Sequence, residues 1–192
     1  MDQITAQRYL YYFIKNKKDE HSILAFEQWV YDHDEMEVIF GEKEYFELIS
    51  RDYKDKLAFH EIDKQIRRLI HFGLFEHERI ILILDDLLTN EDAIEQLETL
   101  ETLYDEYCDG YNFLRYIALT YITTSDEYKE ILKKDHSKFQ SYMDSIRKEA
   151  ARLLGFLRSK EILIDDEHEY TDNRAEKDRI EWHSINVMLG AQ

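Results

Sequence analysis

The chain of 192 residues contains no proline, five glycines and one cysteine. A β-rich protein of this length needs many turn residues, whereas helices can be joined through Asn, Asp and Ser. The absence of proline and the scarcity of glycine therefore exclude a strand-dominated fold and predict an all-α one. A lone cysteine, Cys108, excludes an intramolecular disulfide and points to a reducing compartment, and it reads as a half-buried structural thiol. Long apolar runs are missing too. The longest aliphatic one, Ile80 to Leu84, is far too short to span a bilayer, and MDQITAQRYLYYFIKNKK carries its charges after its apolar stretch, unlike a signal peptide. The expectation is a cytoplasmic protein with no membrane segment.

Positive charge is the other shortage. Against 42 acidic residues stand 25 basic ones, a formal net charge of −17. Nucleic acids and anionic membranes select positive surfaces, so the balance excludes direct binding of either. Between Arg79 and Arg115 there is no Lys or Arg, yet Asp85, Asp86, Glu91, Asp92, Glu95, Glu98, Glu101, Asp105, Glu106 and Asp109 follow one another. With Asn90 as a cap, Glu91, Glu95, Glu98, Thr102, Asp105 and Asp109 recur at helical spacing and line one face. Ala93, Leu97, Leu100, Tyr104 and Tyr107 share the rhythm on another face and form the buried seam. A fixed acidic ridge of this kind addresses a partner rather than a reaction.

Tyrosine reinforces that reading. The chain has 14, and Tyr104-Asp105-Glu106-Tyr107 and Asp109-Gly110-Tyr111 set phenols beside carboxylates, a combination that receives Lys and Arg by charge pairing and cation–π contact. The candidate partner-binding set is Asp85, Asp86, Glu91, Glu95, Glu98, Tyr104, Asp105, Glu106, Asp109 and Tyr111, and the expected partner is a basic protein.

Hydrophobic periodicity gives the rest of the architecture. Helices are expected over 4–16, from an N-cap at Ser22 (Ile23, Phe26, Val30), from Asp34 to Gly41, and over Glu42–Arg51 with Tyr45, Phe46 and Ile49 inward. A fifth carries Ala58, Ile62, Ile66, Leu69 and Ile70. Residues 74–88 read as a helix apolar all round at IILIL, with an inner strand as the alternative. The acidic helix continues past Gly110 through Tyr111, Leu114, Ala118 and Tyr121, kinked at the glycine. A long helix follows from Ser137 to Arg158. These eight to nine helices form one antiparallel bundle domain over 1–164, and any boundary falls near Thr89. A polar linker spans 165–178, and a short C-terminal segment over 179–192, with Trp182, Ile185 and Leu189, docks on the bundle. A hairpin pairing Glu161–Ile164 with His168–Thr171 is the alternative there.

Signals for catalysis are sparse. Eight histidines include no H-x-x-x-H and no E-x-x-H pair, and there is no C-x-x-C, phosphate-binding loop or nucleophile elbow, so no metal or organic cofactor is expected. His33-Asp34, with His21 and Asp85 or Asp86, offers the only metal-hydrolase candidate, an HD-like phosphohydrolase set, but Asp34 sits where a helix cap is wanted. A third alternative is a helical regulatory module that binds a peptide.

FEQWVY (Phe26–Tyr31), EMEVIFGEKEYFELISRDYKDK (Glu35–Lys56) and LYDEYCDGYNFL (Leu103–Leu114) resemble small acidic helical immunity proteins of bacterial polymorphic toxin systems. The resemblance implies a non-enzymatic inhibitor that caps a basic toxin domain. It carries no individual residue role across.

Overall fold

The computed structural model describes residues 1–16, 19–166 and 169–179. Among these residues it has ten α-helices and one two-stranded hairpin, so the fold is predominantly all-α. The chain divides into two compact units, Met1–Phe75 and Glu76–Gln192. The division falls inside a continuous helix rather than near Thr89. Among the described residues no helix is long and apolar enough to cross a membrane.

The first unit contains α1 (Gln3–Lys15), α2 (Glu20–Tyr31), α3 (Met36–Phe40), α4 (Glu42–Ile49) and α5 (Ala58–Leu69). Ala58, Ile62 and Ile66 recur at steps of four and all lie at or below 3% exposure. Each buried Ile contributes roughly 1.5–3 kcal/mol, so this face anchors α5 in the core of the unit. Aromatic stacking adds specificity, with Phe13 on Phe26 at 3.9 Å and Tyr9 on Trp29 at 3.8 Å between ring centroids. The α2 cap is Asp19 rather than Ser22. Asp19 accepts from the Ser22 amide at 2.8 Å while the Ser22 hydroxyl accepts from the Asp19 amide at 3.0 Å, a reciprocal capping box. In α4 it is Leu48 that is buried, whereas Phe46 is 64% exposed. Buried Gln65 ties this unit together, donating to the Glu44 carbonyl and accepting from Arg51.

The second unit holds most of α6 (Phe72–Thr89), then α7 (Ala93–Cys108), α8 (Arg115–Ile122), α9 (Asp126–Leu132), α10 (His136–Arg158) and the hairpin of β1 (Ile162–Ile164) with β2 (Tyr170–Asp172). Ile80–Leu84 is helical. It is not apolar all round in its surroundings, because Ile80 and Leu84 are fully buried while Leu82 is 55% exposed. The α7–α8 region is a turn rather than one kinked helix. The Gly110 amide bonds the Tyr107 carbonyl and the Tyr111 amide bonds the Glu106 carbonyl, with Gly110 at φ +119°. That pattern closes a helix on a glycine and reverses the chain through a 3-10 turn at Asn112–Leu114. Helix α9 was not anticipated from sequence, and it starts on a Ser125 side chain that accepts from the Tyr128 amide.

The polar stretch 165–178 is no bare linker, since it contributes β2. The hairpin register pairs Ile162 with Asp172, Leu163 with Thr171 and Ile164 with Tyr170. Strand alternation then buries Ile162 and Ile164 and leaves Leu163 outside. The expected terminal helix around Trp182, Ile185 and Leu189 lies outside the described residues.

Candidate functional site

Helix α7 sorts its residues by side. Leu97, Leu100 and Leu103 are buried, and Glu95, Glu98, Thr102 and Asp105 are exposed on the opposite side. The helix begins at Asp92, not Asn90. The Asp92 carboxylate accepts from the amides of Ile94 and Glu95 at 2.8 and 3.0 Å, while Asn90 accepts from the Asp92 amide. Glu91 stands exposed just ahead of the helix and Asp109 exposed at its C-cap. Two anions near the first turn favour the helix, whereas Asp109 beside the carbonyl end opposes it.

Among the described residues, no basic group forms an ion pair with Glu91, Glu95, Glu98, Glu101, Asp105 or Asp109. The nearby lysines are engaged within their own segment. Lys129 pairs with Asp126 and lies over the Tyr121 ring at 4.0 Å, Lys133 pairs with Glu130 at 2.7 Å, and Lys138 pairs with Asp135. Lys133 is held above the ordinary lysine range, first by its hydrogen bond to Glu130 and in smaller part by Glu98. At the edge of the ridge, Asp85 pairs with Arg158 at 2.9 Å and Asp86 accepts from the Thr99 hydroxyl at 3.1 Å. Tyr104 is half-buried, and its hydroxyl is raised above the ordinary phenol range chiefly by a hydrogen bond with Cys108. Cys108 itself is exposed, not half-buried.

Two members of the sequence-derived set leave the surface. Glu106 is 6% exposed and Tyr111 is 1% exposed. Arg79 donates to Glu106 at 2.6 Å and to Glu76 at 2.9 and 3.3 Å, and the Tyr111 hydroxyl donates to Glu76 at 3.2 Å. Burial first, and then the charge of Glu76, pushes the Tyr111 hydroxyl well above the ordinary phenol range, so it stays a donor. This cluster fixes the α7–α8 turn from inside. Neither the Glu106 nor the Tyr111 side chain is available at the surface.

Of the hydrolase candidates, His21 is exposed in the first unit. His33 and Asp34 belong to the first unit and Asp85 and Asp86 to the second. The His33 ring stacks on Trp29 and its Nδ1 lies 2.7 Å from the Trp29 carbonyl oxygen, as in an ordinary helix C-terminal contact. Among the described residues no group of three or more His, Cys, Asp or Glu is placed to hold a metal ion.

Sequence reasoning missed a basic concavity in the second unit. A cavity of about 260 Å³ opens between the Asn112–Leu114 turn, α8, α10 and β2, lined in part by Arg115, Arg174 and Arg179. The only sequence hint was that Arg115 ends the cation-free stretch. Compared with protein-family models, with curated proteins and with solved structures, the chain matches none.

Proposed function

We propose that the second unit is a non-enzymatic protein-binding module whose α7 ridge docks a Lys/Arg-rich protein, and that the chain acts as an immunity or inhibitor protein against a basic toxin domain inside the cell. The observation that carries this reading is the exposed row Glu91, Glu95, Glu98, Asp105 and Asp109, with no ion pair to any described residue. Unmatched carboxylates on a rigid helix present a field that steers a cationic partner and is relieved on contact. Docking through the ridge leaves the buried Glu106 and Tyr111 undisturbed, so recognition and folding draw on different residues of α7 and the turn that follows it.

The test uses the product of the reading frame beside this gene. Wild-type chain, co-expressed with that product, is expected to form a complex and to restore growth if the product is toxic. Glu95→Lys/Glu98→Lys/Asp105→Lys is expected to slow association by about tenfold or more at low salt and to flatten its salt dependence. Equal association rates for the two chains refute the ridge as the docking surface. Absence of any complex with the neighbouring product refutes the immunity reading.

A further inference from the structure

We propose that the cavity beside Arg115 is a binding site for a small oxyanion ligand, one that presents a carboxylate or phosphoryl group to the guanidinium. The inference begins with an anomaly of pairing. The Arg115 side chain forms no hydrogen bond or ion pair with any described residue, and its Nε is buried without a partner. The Nε atoms of Arg51 and Arg147 are also buried and unpartnered, but those guanidiniums are engaged through Nη, with Gln65 for Arg51 and with Gln140 and Gln96 for Arg147. Arg115 alone among the three has no such engagement. A guanidinium cannot shed its charge, and a buried donor left unmade is expensive. In a chain with 42 acidic residues, a carboxylate partner was readily available and none is supplied.

The surroundings show why an anion is accepted there despite the overall charge of −17. Two carboxylates stand in the wall, and both are already neutralised. Glu149 takes two hydrogen bonds from Arg152, each 2.8 Å. Asp172 takes two from Arg174, at 2.9 and 2.7 Å, and lies 3.8 Å from Arg179. Four guanidiniums therefore surround two carboxylates, and Arg115 carries the uncommitted charge. The remote acidic groups matter less than these neighbours, because mobile ions screen charges beyond roughly 8 Å at physiological salt.

The frame is also rigid where it needs to be. Arg174 is 5% exposed, and with Arg152 it donates to the Asp178 carbonyl, at 3.3 and 2.6 Å. Tyr170 stands edge-on to Phe113 at 5.0 Å between centroids. Burial raises its phenol above the ordinary range, so the hydroxyl keeps its proton. The buried, unmade Nε–H of Arg115 is a charge-assisted donor suited to an oxyanion oxygen, and Tyr170 lines the same cavity. At about 260 Å³ and about 30 Å³ per water, the space suits a small metabolite rather than a peptide.

The experiment titrates the whole chain with inorganic phosphate and, separately, with citrate, at constant ionic strength set by chloride, and follows the Arg115 Nε–H signal by NMR. A saturable shift of that signal is expected with at least one titrant. The titrant that acts at the lower concentration assigns the ligand as phosphoryl or carboxylate. Arg115→Gln is expected to weaken binding about tenfold to hundredfold, the loss of one or two charge-assisted hydrogen bonds. Arg115→Lys, which keeps the charge and loses the fork, is expected to fall between the two. No shift of the Arg115 signal with either titrant overturns the proposal, and so does equal affinity in wild type and Arg115→Gln. The ridge triple variant is expected to bind as wild type, so failure here is separable from failure of the docking reading.

Discussion

Removing the guanidinium of Arg79 tests whether the second unit is held by a buried ionic clamp. Arg79 is 13% exposed at its side chain, Glu76 is 0% and Glu106 is 8%, so water screens these charges poorly. Replacing Arg79 with Met keeps the aliphatic stem and withdraws the donor shared by the two carboxylates. Stranding buried charge in this way costs about 3–5 kcal/mol, far more than the pair contributes when intact. Glu106→Gln removes one of the charges Arg79 answers and leaves the Glu76 contacts, so its expected cost is about 1.5–3 kcal/mol, the worth of a hydrogen bond to a charged group. The double variant Arg79→Met/Glu106→Gln is expected to lose less than the sum by about 0.5–3 kcal/mol, because the neutral amide needs no counter-charge.

Chemical denaturation of the four proteins supplies the cycle, with Asp105→Lys as the comparison. Asp105 is the immediate sequence neighbour of Glu106 but faces water, so reversing its charge is expected to change stability by no more than about 0.5 kcal/mol. A loss under about 1 kcal/mol in Arg79→Met, or strict additivity in the cycle, refutes the clamp.

Two further outcomes follow from single side chains. Burial holds His77 below the ordinary imidazole range; its Nε2 donates to the Leu157 carbonyl at 3.1 Å and its Nδ1 is buried without a partner. Because the folded pKa is depressed, the unfolded chain takes the proton first as pH falls through about 6.5, so this stability is present above that pH and lost on acidification. His77→Gln is expected to flatten the stability profile between about pH 7.5 and about pH 6, where carboxylates are silent, and an unchanged slope refutes the assignment. Lys160 is exposed and closes α10 at φ +61°, with its amide on the Leu157 carbonyl and the Glu161 amide on that of Phe156. Lys160→Gly is therefore expected to stabilise the chain by about 1 kcal/mol, and a loss of stability in denaturant refutes the strain.

Residue by residue, the legible parts of the fold are those where one periodicity decides burial. Phe139, Ile146, Ala150, Leu153 and Leu157 are all fully buried, and with half-buried Tyr142 they recur at the helical spacing that predicts α10. Caps were harder to read. In connectors rich in Asp, Asn and Ser several side chains can accept from a free amide, and local geometry chose Asp19 over Ser22 and Asp92 over Asn90. The unit boundary was hidden because α6 runs unbroken through it, with no change in composition to mark it.

At the site, Glu106 was recoverable. It lies three residues beyond Leu103, on the buried side, and a carboxylate there requires an interior cation. Choosing Arg79 as that cation takes the tertiary fold. Arg115 is marked in the sequence only as the cation that ends the stretch without Lys or Arg, because what distinguishes it is a missing partner, and a missing partner has no signature along the chain.

The placement of cations explains how the ridge persists. Arg79, Arg152 and Arg174 are spent on interior or half-buried carboxylates, where each removal strands a charge at several kcal/mol. On the exposed face of α7 the like-charged pairs three and four residues apart cost only a few tenths of a kcal/mol each. Moving an arginine from the interior to the ridge therefore loses far more stability than it recovers. The unmatched ridge is energetically cheap, and its consequence lies outside the folding equilibrium. A row of carboxylates that scarcely alters stability still sets the potential met by an approaching cation, and that potential acts on the rate of encounter. Association rate against salt concentration is thus the observable in which the ridge declares itself, while the unfolding midpoint of the triple-reversal variant stays near that of the wild type.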